Sequence, residues 1–186
     1  NITNVRKYGT LTLVKTVVNN NGGTAAPSAW TLAAVGPRQF SGSGPVVASG
    51  PNFSAGTYHL SESGGAPGYS ASAWVCVGGE QVDDDTVALD LGETATCTIT
   101  NDDIAPTLTV AKTIVNDNGG TVTNPNAFGL KIDGGGVLHN AVNPVSAGGH
   151  AVSEVGAAGY LAGTWGGDCN ANGTISLALD QDASCT

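Results

Sequence analysis

The chain contains itself twice, and any fold must be one that each half can form. Leu11–Thr24 (LTLVKTVVNNNGGT) returns as Leu108–Thr121 (LTVAKTIVNDNGGT), 97 residues further on. Other landmarks recur in the same order. Ala55-Gly56 with Glu62 corresponds to Ala147-Gly148 with Glu154, Gly68-Tyr69 to Gly159-Tyr160, Trp74 to Trp165 and Cys76 to Cys169. VALDLGETATCT, ending at Thr98, corresponds to ISLALDQDASCT, ending at Thr186. The offset shrinks from 97 to 88 along the chain, which places the deletions of the second copy in loops. A repeat of this length is a domain, and 186 residues suffice for two.

Within each copy the pattern is β. Runs such as LTLVKTVV, TYHLSES, TVALDLG and TCTIT alternate Thr with Val, Leu and Ile, and are broken by Gly, Pro, Asn and Asp. Apolar residues nowhere recur at helical spacing over a useful window. Many short strands predict an all-β chain of two tandem immunoglobulin-like antiparallel sandwiches. Asp102–Pro106 (DDIAP) reads as the linker. The divisions expected are residues 1–8 as a separate N-terminal strand, 9–103 as the first sandwich, and 104–186 as a second sandwich lacking its last strand.

Composition narrows the function. Six Lys and Arg stand against fifteen Asp and Glu, for a net charge of −9, so phosphate-dominated nucleic-acid binding is excluded. No apolar run approaches the roughly 20 residues of a membrane span, so membrane insertion is not expected. Met is absent, and the chain reads as a processed or excised product. The four cysteines form no CxxC and have no nearby His at zinc spacing. As local pairs, Cys76–Cys97 and Cys169–Cys185 would close loops of 21 and 16 residues, which suits an exported protein. Four free buried thiols are the other reading.

Residues two apart on a strand share a face. The phase that buries Leu11 and Leu13 carries Lys15 inward; Tyr58 and Leu60 bring Glu62; Cys97 and Ile99 bring Asn101. In the second copy, Leu108 and Val110 lead to Lys112, and Val152 to Glu154. An inward lysine costs several kcal/mol unless paired. Two readings fit: a Lys–Glu ion pair with Asn hydrogen-bonded beside it, or a self-formed Lys–Asn isopeptide bond. In the second, burial lowers the lysine pKa and raises that of the glutamate, and a protonated Glu polarises the carboxamide.

At LTLVK and LTVAK, AGTYHLSESGGAPGY and the terminal CTITN, the sequence resembles the prealbumin-like, CnaB/SpaA-type modules of bacterial surface proteins and pilins. The resemblance spans both repeats. It implies a prealbumin-like sandwich, a structural role, and a crosslink among a first-strand Lys, the Glu before a Gly-Tyr turn and a last-strand Asn or Asp. The matching residues here are Lys15, Glu62 and Asn101. The paired cysteines depart from that pattern, and a disulfide can replace the crosslink as the staple.

The first copy ends CTITNDD, whereas the second stops at Cys185-Thr186. Ile2-Thr3-Asn4 lies 97 residues before Ile99-Thr100-Asn101, the offset that relates the two first strands. An unpaired sheet edge accepts an extended segment. The pattern therefore predicts head-to-tail exchange, in which Asn1, Ile2, Thr3, Asn4, Val5 and Arg6 complete the second domain of an identical subunit. Asn4 would then face Lys112 and Glu154 of its neighbour. A contact of this kind builds an open filament unless it closes. The alternatives are a segment of a longer tandem-repeat adhesin stalk, and a frayed leader.

The remaining signals are weaker. Asn1, Asn52 and Asn172 begin N-x-[ST] sequons. Asp83–Asp85 and Asp102-Asp103 lack calcium-loop spacing and read as solvated turns. Trp74 and Trp165 read as core anchors, with a carbohydrate platform as the other possibility. His59 is out of phase with the core, and His150 occupies the Tyr58 position. No nucleophile–base or metal constellation, and no cofactor, is expected.

Overall fold

A computed structural model describes residues 2–186 as two all-β units. The first comprises residues up to Asn19 with Thr24–Asp103; the second comprises Asn20–Gly23 and Ile104–Thr186. The strands of the first unit are β1 (Thr10–Val18), β2 (Trp30–Val35), β3 (Phe40–Ser43), β4 (Val46–Ala48), β5 (Gly56–Gly64), β6 (Tyr69–Ala71), β7 (Val75–Val77), β8 (Glu80–Gln81), β9 (Thr86–Leu89) and β10 (Thr94–Asp103). Those of the second are β11 (Thr107–Val110), β12 (Leu130–Ile132), β13 (Gly135–Gly136), β14 (Val142–Pro144), β15 (Gly148–Glu154), β16 (Thr174–Leu177) and β17 (Asp182–Cys185).

Each unit packs two sheets over one core. In the first, β4-β1-β10-β6, with β7 also on β10, faces β3-β2-β5-β9-β8. In the second, β14-β11-β17 faces β13-β12-β15-β16. Strand phase decides what fills the space between. Leu11, Leu13 and Lys15 of β1, Tyr58 and Leu60 of β5, and Ala95, Cys97, Ile99, Asn101 and Asp103 of β10 all point in. Leu108, Val110, Val152 and Cys185 repeat the arrangement in the second unit. Each fully buried Leu contributes about 1.5–3 kcal/mol.

Two local expectations need correction. The sandwiches are not wholly antiparallel: β1 pairs with β10, and β11 with β17, in parallel. Alternation alone fixes which face a residue takes, not the direction of its neighbour. Asp102 and Asp103 also belong neither to a linker nor to a solvated turn. They end β10, paired with Ser70 and Tyr69, and Asp103 is buried. Pro106 is buried too, so the irregular connection shrinks to Ile104–Pro106.

The units differ where the last strand would continue. β1 runs nine residues and is paired along its whole length by β10, whereas β11 ends at Val110, level with the end of β17 at Cys185. Residues 160–162, the counterpart of β6, form no strand. Both of these stretches would flank the continuation of β17. Backbone that has no strand beside it cannot form a ladder.

His150 stands where Tyr58 stands and makes the same contact. The Tyr58 hydroxyl donates to the carbonyl of Ser54, four residues back, at 2.8 Å; His150 Nε2 lies 2.7 Å from the carbonyl of Ser146. His150 Nδ1 faces Asp133 Oδ2 at 2.7 Å. Burial opposes the imidazolium, but the hydrogen bonds to Asp133 and Ser146 and the Asp133 charge outweigh it and raise the pKa above the usual 6.5. The hydrogen bonds from His150 and the Ala151 amide hold Asp133 below its usual 3.8. The histidine contribution is therefore complete below about pH 6.5 and is lost as pH rises through the raised value; the aspartate contribution persists above about pH 3.8 and is lost as pH falls through the lowered one. Calorimetry of the chain should show the second unit losing stability as pH rises above about 6.5 and through the raised histidine value. His150→Tyr should abolish that slope, and equal slopes in both proteins would remove the imidazolium from the account.

A buried lysine–carboxylate pair and an open strand position

In the first unit three elements converge on one amine. Lys15 comes from β1 and Asn101 from the adjacent β10, two positions beyond the residue directly opposite Lys15. Glu62 reaches across from the other sheet. Lys15 Nζ donates to Asn101 Oδ1 at 2.5 Å and lies 2.9 Å from Glu62 Oε2. The Lys15 side chain is wholly buried and that of Glu62 is 14% exposed. Desolvation lowers the lysine pKa from 10.5, against the opposing hydrogen bond and charge of Glu62. The carboxylate contact is short but poorly directed, so Glu62 Oε2 accepts no well-aligned hydrogen bond.

An aromatic lid completes the site. Lys15 Nζ lies 4.8 Å from the ring centre of Trp30, which meets Tyr69 edge to face at 5.4 Å. A cation over such a ring recovers part of the lost hydration. Gly68, at φ 79°, turns the chain through the left-handed region so that Tyr69 can fold back. The Tyr69 hydroxyl donates to Asn19 Oδ1 at 2.5 Å and accepts from the Ala25 amide at 3.1 Å, pinning the Asn-Gly loop over the site.

The second unit repeats everything except the carboxamide. Lys112 Nζ lies 2.7 Å from Glu154 Oε2 and 4.7 Å from the ring centre of Phe128. Phe128 meets Tyr160 edge to face, and the Tyr160 hydroxyl donates to Asn116 at 2.6 Å and accepts from the Val122 amide at 3.0 Å. Among the described residues no strand pairs with residues 112–115, and no amide stands where Asn101 stands. Two clefts of about 450 and 290 Å³ open there, with Lys112 on the wall of both. The Lys112 amide donates to His139 Nδ1 at 2.9 Å.

The cysteines form Cys76–Cys97 and Cys169–Cys185 disulfides. By chain entropy each contributes about 3 kcal/mol. Residues 2–8 form no strand, and Ile2 and Val5 are 98% and 82% exposed. Asn1 lies outside the described residues. Asn52 and Asn172 are exposed, and Asn172 Oδ1 accepts from the Thr174 hydroxyl of its own sequon at 2.7 Å. Trp74 is buried in the first core, while Trp165 is half-buried against the second. His59 is exposed and bonds Thr86. Trp30, Phe128 and His139 had escaped sequence reasoning. The first two were findable, since Pro-x-Ala-Trp and Pro-x-Ala-Phe occupy matching places in the repeat.

Glu62→Leu leaves the Lys15 ammonium buried and unpaired, which should destabilise the first unit by about 3–5 kcal/mol. The second unit, with its own core, should melt unchanged. Adding Lys15→Met should recover most of the loss. A Glu62→Leu protein melting within about 0.5 kcal/mol of the native chain would show that the pair carries no such cost.

A sequence profile described as a prealbumin-like fold domain matches the chain twice, over residues 7–99 and 103–186. No curated protein matches. A solved structure, "The Bacillus anthracis TIE protein", superposes with a TM-score of 0.54 at 16% identity, over 95% of this chain and 32% of that one. That likeness concerns the fold alone, and this chain spans about a third of that protein's length. The two matched segments cover nearly all of the sequence, and the chain belongs to the prealbumin-like fold domain family as a tandem pair.

Proposed function

We propose that the protein is a structural subunit of an extracellular filament, assembled head to tail by insertion of residues 1–6 of one copy into the second unit of the next. The observation that carries this reading is the empty strand position beside Lys112. In the first unit the same place is filled by Ile99-Thr100-Asn101, and Ile2-Thr3-Asn4 repeats those residues. Insertion would give the backbone of residues 112–115 and 160–162 its ladder, cover the clefts, and bring Asn4 to Lys112 and Glu154. The role is structural rather than catalytic, with identical subunits as partners and the cell surface as the setting.

A crosslink is part of the same proposal, supported by the contacts of Lys15 with Asn101 and Glu62. With its pKa lowered, Lys15 has a larger share of neutral amine to attack the Asn101 carboxamide carbon. A new N–C bond forms and the carboxamide C–N bond breaks. Glu62 relays a proton from the amine to the departing nitrogen, and ammonia leaves. Across two copies, Lys112, Glu154 and Asn4 would make the filament covalent.

A second reading is favoured by the offset of 97, which runs unbroken from Ile2 to Thr10. A segment of a longer adhesin stalk would carry such a strand-plus-linker copy at its front. Intact mass under denaturing, reducing conditions should fall by about 17 Da per crosslink, and a ladder of multiples should mark bonds between copies. Unmodified monomer mass would exclude the isopeptide while leaving noncovalent exchange. Deleting residues 1–6 decides the rest: electron microscopy should show filaments from the native chain only. Filaments from the deleted chain would overturn strand donation, and native chain that stays monomeric would favour the stalk.

A further inference from the structure

The two strands that carry Ile-Thr-Asn differ immediately afterwards. The internal one continues Asp102-Asp103, whereas the N-terminal one continues Val5-Arg6. The walls they would meet differ in step. In the first unit Asp102 lies between Val18 on β1 and Ser70 on β6, a row with a charge at its centre. The repeat puts Val115 and Leu161 at those two wall positions in the second unit. Val115 is 66% exposed and Leu161 is 99% exposed, and both line the larger cleft. Val5, itself 82% exposed, falls between them when Asn4 takes the place of Asn101. Three solvent-exposed aliphatic side chains thus become one cross-strand row.

The next position reverses charge. Asp103 is inward and buried at the end of β10, opposite Tyr69. Arg6 occupies that place on the donor, opposite Tyr160. Asp117 is exposed on the rim of the same cleft, where the first repeat has the neutral Asn20. A guanidinium there meets a carboxylate, whereas Asp103 there would set two acids together on a chain of net charge −9.

We propose that the open strand position of the second unit is selective: Val115, Leu161 and Asp117 accept the Val5-Arg6 end of a second copy and reject a strand ending Asp-Asp. The inference rests on the strand-donation reading and adds what the groove recognises. An aliphatic row gains from burial, whereas an aspartate between Val115 and Leu161 would lose hydration without a partner. Discrimination of this kind keeps β10 of one copy from being exchanged into another, so the only strand the groove takes is the one that extends a chain head to tail.

The test uses full-length protein, diluted until it is monomeric, and two fluorescent peptides read by anisotropy. One peptide is residues 1–8; the other is the same segment with Val5→Asp and Arg6→Asp. The first should bind at least about tenfold more tightly than the second, which forfeits one apolar and one charged cross-strand pairing. On full-length protein carrying Leu161→Ser and Asp117→Lys, that preference should disappear. Equal binding of both peptides to the native chain would overturn the selectivity and leave strand donation standing. Binding of neither would overturn strand donation itself. An unchanged preference on the doubly substituted chain would show that Leu161 and Asp117 are not its source.

Discussion

The parallel pairing of first and last strands is the constraint on which both units turn. β1 and β10 are held in register over nine residues, and the inward row of each carries a polar group to the same end of the sandwich. Without that register Lys15 and Asn101 would not meet, and Glu62 would have no cation to face from the other sheet. A parallel pair cannot be closed by a tight turn, so the first strand must wait for the last to return from the far end of the sequence. Each unit is therefore completed by whatever supplies its final strand. The first unit has its own, and the second is built to the same plan only as far as Cys185.

Placing an ammonium group at the end of a core looks wasteful until its surroundings are followed outward. The carboxylate, the aromatic ring above the amine, and the tyrosine that latches the Asn-Gly loop recur in both units with nearly the same geometry. Trp30 and Phe128 are chemically different, yet each offers a ring face to the amine. The common requirement is a carboxylate and a ring face beside the amine, not a particular aromatic side chain. An ordinary sandwich could fill that volume with aliphatic residues and be as stable or more so. What the polar set adds is position: a lysine that must find its carboxylate and amide admits one register, because a slip by one residue would turn it to solvent and a methyl group inward.

Period-two alternation made the inward faces legible, and with them Lys15, Glu62, Asn101, Lys112 and Glu154. The repeat made the domain pair and the second occurrence of Ile-Thr-Asn legible. Strand direction was not, because a face pattern reads the same in either direction. The end of β10 was missed because Asp-Asp is a turn signal locally and becomes strand only when β1 and β6 lie on either side. Phe128 was hidden for a related reason, since its ring belongs to a short turn where no periodicity announces which way a side chain points; Trp30 opens β2 in phase with Leu32 and Ala34 and was legible from that alternation.

The disulfides occupy corresponding places beside the polar end of each unit. Cys97 sits on β10 two residues before Ile99, bonded to Cys76 directly across on β7. Cys185 is the last residue of β17, bonded to Cys169. In both units the covalent staple therefore falls on the inward row of the last strand, on the way to the polar end. In the first it reinforces a strand that continues. In the second it fixes the position from which a continuing strand would start, and Glu154 holds Lys112 in place beside it. Ordering the walls in advance lowers the conformational cost that a bound segment would otherwise meet on arrival.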